Sequence, residues 1–145
     1  MTNNFRHVGI VVSDLEVHKT FLTEVLEFSL VSDLVETGPF ISKMLNLEAA
    51  VVNTVKYVGH SGGVIELLKF VHPLEDTNKV RILKPNSQGL AHVAITVSSV
   101  DLIHKRAIQN NLTPFTEPLL SPDQKVKVFY MRGPENVLFE IVEEL

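Results

Sequence analysis

The chain has 145 residues, a formal net charge of −4 and no cysteine, so a disulfide framework and a thiolate metal site are both excluded and any metal must be held by His, Asp, Glu, Asn or Gln. With 45% hydrophobic and 21% charged residues, it is globular, with enough apolar material for one core of ordinary domain size or two small half-units. No cluster of Lys and Arg is present, which excludes nucleic acid and anionic membrane surfaces as partners, because both demand a basic footprint. A small molecule is the expected partner. The opening MTNNFRH lacks a basic-then-apolar signal pattern and the apolar runs are short, so the expected location is the cytoplasm.

HVGIVVS, from His7 to Ser13, alternates as a strand does and is followed by Leu15, Phe21, Leu22 and Val25 at helical spacing, with Asp14 as N-cap. GPFISKMLNL, from Gly38 to Leu47, reads as a short helix. TVKYV and VIELLKF then flank the turn GHSGG as a hairpin. Val71 to Gln88 reads as a polar linker. After it HVAITVS, from His92 to Ser98, repeats the opening strand. Val100, Ile103, Ala107 and Ile108 mark a second helix capped by Ser98 or Ser99, and KVKVFYM and VLFEIVEE flank the turn RGPEN. Each half therefore reads strand, helix, strand, strand, strand, with the short helix inserted only in the first.

Side chains alternate across a strand, so His7, Gly9, Val11 and Ser13 share one face while Val8, Ile10 and Val12 share the other. The second copy divides in the same way, with His92, Ala94, Thr96 and Ser98 on one face. The closing strands place Glu66 beside Leu68 and Phe70, and Glu140 beside Leu138 and Val142. A pseudo-two-fold relation between the halves would let His7, Glu66, His92 and Glu140 converge. An unpaired buried carboxylate costs about 3 to 5 kcal/mol, and the only basic residues on the strands that carry these groups are Arg6, Lys69 and Arg132, none of them repeated. A divalent cation is expected to neutralise the carboxylates, since two imidazoles and two carboxylates suit Zn, Ni, Co, Fe or Mn at roughly 2.0 to 2.2 Å.

Through HVGIVVSDLE, VIELLKF, GLAHVAITVSSVD and NVLFEIVEE, nearly its whole length, the chain resembles the vicinal oxygen chelate superfamily. That group includes glyoxalase I, methylmalonyl-CoA epimerase, extradiol dioxygenases and the fosfomycin or bleomycin resistance proteins. The resemblance implies an α+β fold, a single domain over 1–145 made of two paired βαβββ modules, about 5–71 and 89–145. The modules would form a curved, mostly antiparallel sheet with a metal site in the concavity. It also implies His7, Glu66, His92 and Glu140 as metal ligands, Zn, Ni or Co being the first expectation and Fe or Mn the next. A homodimer is implied too, and ligands drawn from one chain or from two chains exchanging modules both stay open.

Four filled ligand positions point to the glyoxalase and epimerase branches, because extradiol dioxygenases use two His and one carboxylate. Within those, Glu27 stands where glyoxalase I has glycine, and GLAHVAITVSSVD is closer to the epimerase style. The implied activity is a lyase or isomerase reaction begun by abstracting the proton α to a metal-bound carbonyl. Glu140 or Glu66 is the base by resemblance to glyoxalase, and Glu48 by resemblance to the epimerases. The alternatives are a non-heme iron dioxygenase and a drug-binding protein without catalysis.

The remaining histidines carry no expected chemistry: His18 and His104 are read as exposed on the two helices, His60 as a turn residue, and His72 as a linker residue before a proline. Lys125, Lys127 and Arg132 are candidates to anchor an acidic substrate tail. Leu68, Phe70, Phe40, Met44 and Phe129 are candidates to line the pocket.

Overall fold

The computed structural model describes residues 3–75 and 82–145. They fall into two compact units, one built of β1 to β4 with α1 and α2, the other of β5 to β9 with α3 and with residues 24–26, the end of the turn that follows α1. Part of the expected linker, residues 76–81, lies outside the described residues.

In the first unit the opening stretch becomes β1 (Val8–Val11), with Val8 and Ile10 half-buried and Gly9 and Val11 exposed. Helix α1 (Leu15–Thr20) follows and widens into a π turn over Phe21–Val25. The Asp14 carboxylate accepts the N–H groups of Glu16 at 3.0 Å and Val17 at 3.3 Å, partnering two of the amides that every helix start leaves open. Leu15, Phe21, Leu22 and Val25 are all buried, as their spacing predicts. Strand β2 (Ser29–Thr37), helix α2 (Pro39–Leu45) and the hairpin of β3 (Val51–Val58) and β4 (Val64–His72) complete the unit. Pro39 opens α2, where its missing N–H costs nothing, and Asn46 ends it in the left-handed conformation. The sheet runs β1-β4-β3-β2, with β1 parallel to β4 and the other pairs antiparallel.

The second unit repeats the plan with β5 (Val93–Thr96), α3 (Val100–Gln109), β8 (Val126–Arg132) and β9 (Leu138–Glu144), β5 again parallel to β9. Between α3 and β8 the expected second strand is split into β6 (Thr113–Pro114) and β7 (Leu119–Leu120), each pairing with β8. Pro114, Pro118 and Pro122 explain the split, because proline has no N–H to give to a ladder. Of the two candidate caps for α3, Ser99 is the one used, accepting the Leu102 N–H at 3.3 Å. Glu143 on β9 takes the Val100 N–H at 2.9 Å, tying the helix start to the closing strand.

Each helix contacts its own unit's sheet, α1 through β4 and α3 through β6, β8 and β9. Val55, Tyr57, Ile65 and Leu67 are buried in the first unit, Phe129, Met131, Phe139 and Ile141 in the second. Both helical histidines depart from expectation. His18 is 1% and His104 7% exposed, because each follows its buried neighbours Leu15 and Val100 by three or four positions, a spacing that puts them on the inward face. His104 sets its ring edge-on to Phe129 at 5.1 Å, with Nδ1 3.6 Å from Glu117. Ile108 departs the other way and stays exposed. His72 belongs to the end of β4, where Nδ1 bonds the Ala49 carbonyl at 3.0 Å. Among the described residues, no helix is long and apolar enough to cross a membrane.

Candidate functional site

The strand register sets out the site. His7 immediately precedes β1, and Gly9 two residues on lies beside Glu66 of β4. Strand β3 places Lys56 directly opposite Glu66 on the other side. Paired residues of neighbouring strands project to the same face, so the imidazole, the carboxylate and the ammonium meet on the face away from Ile65 and Leu67. His7 Nε2 lies 3.5 Å from Glu66 Oε1, and Lys56 Nζ lies 3.2 Å from Glu66 Oε2. The Glu66 side chain is 11% exposed, against 35% for Lys56. Thr54 and Glu36 continue the same face, with the Thr54 hydroxyl donating to Glu36 Oε2 at 2.5 Å.

The second unit has the same plan with one change. His92 precedes β5, Ala94 lies beside Glu140, and Tyr130 of β8 stands opposite Glu140, where the first unit has Lys56. His92 Nε2 is 3.2 Å from Glu140 Oε2. The Tyr130 hydroxyl is 3.5 Å from the same imidazole nitrogen, and the two rings meet edge to face at 5.2 Å. Burial raises the Tyr130 pKa, and its hydrogen bond to Glu140 and that carboxylate's charge raise it further. The phenol is therefore a neutral donor across the physiological range.

Donor geometry gives a simple test of these two pairs. Ligand atoms roughly 2.1 Å from one ion and adjacent on it stand about 3.0 to 3.4 Å apart, whether the ion is octahedral or tetrahedral. The His92–Glu140 separation of 3.2 Å falls within that spacing, and the His7–Glu66 separation of 3.5 Å lies just beyond it. Each unit thus offers an imidazole nitrogen and a carboxylate oxygen side by side. Among the described residues no larger group, three or more of His, Cys, Asp and Glu, is gathered to hold an ion.

Lys56 corrects the expectation that protein cations are missing around the closing-strand glutamates. It sits on the neighbouring strand rather than on the strand of Glu66. Counting outward from the GHSGG turn, Val58 pairs with Val64 and Lys56 with Glu66, so hairpin arithmetic would have found it. The same count from RGPEN finds Tyr130.

The surroundings of the other expected positions vary. Glu48 is exposed in the turn between α2 and β3. Phe129 is 2% exposed in the core, on the opposite face of β8 from Tyr130. Leu68 and Phe70 pack against Ile41, Ala50 and Val52, whereas Phe40 and Met44 are exposed. Lys127 is engaged by the Asp101 carboxylate, with Nζ donating to Oδ1 at 2.7 Å. The Arg132 guanidinium donates to the Leu83 and Asn136 carbonyls and lies 5.6 Å over the Phe115 ring. Lys125 remains exposed.

Known proteins are similar to this chain over nearly its whole length. A model described as the Glyoxalase/Bleomycin resistance protein/Dioxygenase superfamily matches residues 4–141. The Bacillus subtilis (strain 168) protein named "Uncharacterized protein YwkD" is 26% identical over 151 residues, covering 99% of each chain. Among solved structures, a glyoxalase family protein from Bacillus cereus superposes with a TM-score of 0.89 at 24% identity, over 100% of this chain and 96% of that one. The fosfomycin resistance protein FosX from Listeria monocytogenes, complexed with Mn(II) and sulfate, superposes with a TM-score of 0.65 at 16% identity, over 100% and 95% of the two chains.

Proposed function

This chain belongs to the Glyoxalase/Bleomycin resistance protein/Dioxygenase superfamily, and we propose that it is a divalent-metal-dependent lyase or isomerase that moves the proton α to a substrate carbonyl. The observation that carries the reading is the recurrence, in two units, of an imidazole and a carboxylate turned toward each other at close range, 3.5 Å for His7 and Glu66 and 3.2 Å for His92 and Glu140. Those four residues are the metal donors in this reading. FosX, a structural neighbour, was solved with Mn(II), which supports a divalent ion in the family.

A bound ion supplies Lewis-acid polarisation of the substrate carbonyl. The protein's own residues supply the rest. Gly9 and Ala94 put no bulky side chain of their own beside Glu66 and Glu140 on the neighbouring strand. Glu140 or Glu66 takes the α-proton and returns it. Of the two, Glu140 is the more accessible, its side chain 27% exposed. Glu48 is a third candidate base, standing free in its turn. The Tyr130 hydroxyl stands across from Glu140 and 3.5 Å from His92 Nε2, where it helps to fix the imidazole and the carboxylate.

The reading also places the protein in the cytoplasm as a homodimer. Leu30, Val31, Leu34 and Val35, all more than half exposed along the edge strand β2, support a self-partner. A drug-binding protein without catalysis has one observation in its favour: Lys56 already neutralises Glu66 without any ion.

One experiment separates these readings. Protein purified without chelator is assayed for bound metals, then incubated in deuterated water with a panel of thioesters and hemithioacetals. Zn, Ni, Co or Mn at stoichiometric occupancy, with metal-dependent α-proton exchange, supports the isomerase or lyase. Iron with oxygen uptake would replace it by a dioxygenase. Ligand binding with neither metal nor exchange would replace it by the binder.

A further inference from the structure

The two units differ at one place that bears directly on metal binding. Across from each closing-strand glutamate the first unit has a cation, Lys56, and the second a neutral phenol, Tyr130. Glu66 divides its two oxygens, Oε1 toward His7 and Oε2 toward Lys56. Glu140 turns Oε2 to His92 and has no ammonium opposite it.

We propose that Lys56 is the built-in competitor for a divalent ion at Glu66, which makes the His7–Glu66 pair the weaker of the two donor pairs and the His92–Glu140 pair the stronger. The inference rests on the metal reading above. An ammonium sharing a carboxylate with a divalent ion repels that ion, and at contact distances this amounts to roughly tenfold in affinity even with the dielectric of water. A lysine is suited to the task because its charge is compact and its four-carbon stem can swing away. At 35% exposure the Lys56 side chain has solvent to move into. Without an ion, Lys56 keeps the nearly buried Glu66 neutralised, so the empty protein does not leave a lone charge on its sheet. Tyr130 needs no such displacement, since a phenol donates to a carboxylate without opposing a cation.

The test is calorimetric titration of the full-length, chelator-stripped protein with Mn(II) and Zn(II). Lys56→Met and Lys56→Gln are expected to bind both ions roughly tenfold more tightly than wild type, since the repulsion is gone. Tyr130→Phe removes only a neutral donor and is expected to weaken binding by tenfold or less, which is the small end of the range for outer-shell partners, about 10 to 100. Tyr130→Lys, which installs the competitor at the other pair, is expected to weaken binding by roughly tenfold or more. This variant also keeps the inference testable should Lys56→Met fail to fold, as checked by circular dichroism. Lys56 variants with wild-type or weaker affinity, or a Tyr130→Lys protein with wild-type affinity, overturn the inference while leaving the metal reading standing. No Mn(II) or Zn(II) binding by any of the proteins overturns both.

Discussion

Lys56 and Tyr130 hold equivalent places in different units, each directly across the strand pair from the glutamate of its closing strand, Lys56 opposite Glu66 and Tyr130 opposite Glu140. The backbone plan is repeated while the charge at this position is not. Duplication explains the shared register, and the difference in chemistry means that the two donor pairs have distinct electrostatic surroundings.

Removing an imidazole tests the donor assignment. His92→Ala leaves Glu140 with one neighbouring donor fewer, and the loss of a direct ligand should exceed the roughly 10- to 100-fold typical of outer-shell partners. Metal content after dialysis against a buffered free-ion series measures the effect. Retention of wild-type metal by His92→Ala and by His7→Ala would remove both from the ligand set.

Asp14 is expected to matter for stability and not for metal binding. Its carboxylate caps α1 through two amides, at 3.0 and 3.3 Å, and Asp14→Ala should cost about 1 kcal/mol. Urea unfolding followed by circular dichroism reads this as a lower midpoint with an unchanged slope.

Phe139 is fully buried on β9, next in sequence to Glu140 and on the opposite face of the strand. Phe139→Ala should destabilise the protein by about 3 to 5 kcal/mol through lost burial and the cavity left behind. That is a large share of the 5 to 15 kcal/mol typical of a domain, roughly speaking. A thermal scan in parallel with Phe139→Leu checks the size dependence, the leucine variant losing less.

Asp123 supplies a pH prediction. The Ser121 hydroxyl, first, and the Lys125 amide hold its pKa below the usual 3.8. Because the folded value is depressed, the contribution to stability is present above 3.8 and is lost as the pH falls through the lowered folded value. Ser121→Ala should bring the Asp123 titration, followed by carboxyl NMR, back up toward 3.8. An unmoved midpoint would show that the hydroxyl is not the cause.

Much of the fold was legible because its signals are local. Strand alternation, the spacing of Leu15, Phe21, Leu22 and Val25, the Asp14 cap and the turn glycines all act within a few residues. Positions whose surroundings depend on a partner element are not legible from a local pattern alone. His18 and His104 look like surface polar residues until the helix face they share with Leu15 and Val100 is counted. Phe129 looks like a pocket residue until strand parity puts it on the side away from Tyr130. Proline at 114, 118 and 122 was visible, and its effect on the second strand of that unit could have been anticipated.

The amino-acid sequence by itself determined the duplication and the identity of the four residues that head and close its two copies, since both follow from side-chain periodicity along single strands. Only the tertiary structure decided who stands across from the glutamates. Lys56 and Tyr130 are ten residues from their partners along the chain but adjacent through a ladder hydrogen-bonded between strands. Cross-strand neighbours are set by register, and a shift of one residue would have turned the ammonium to the other face of the sheet.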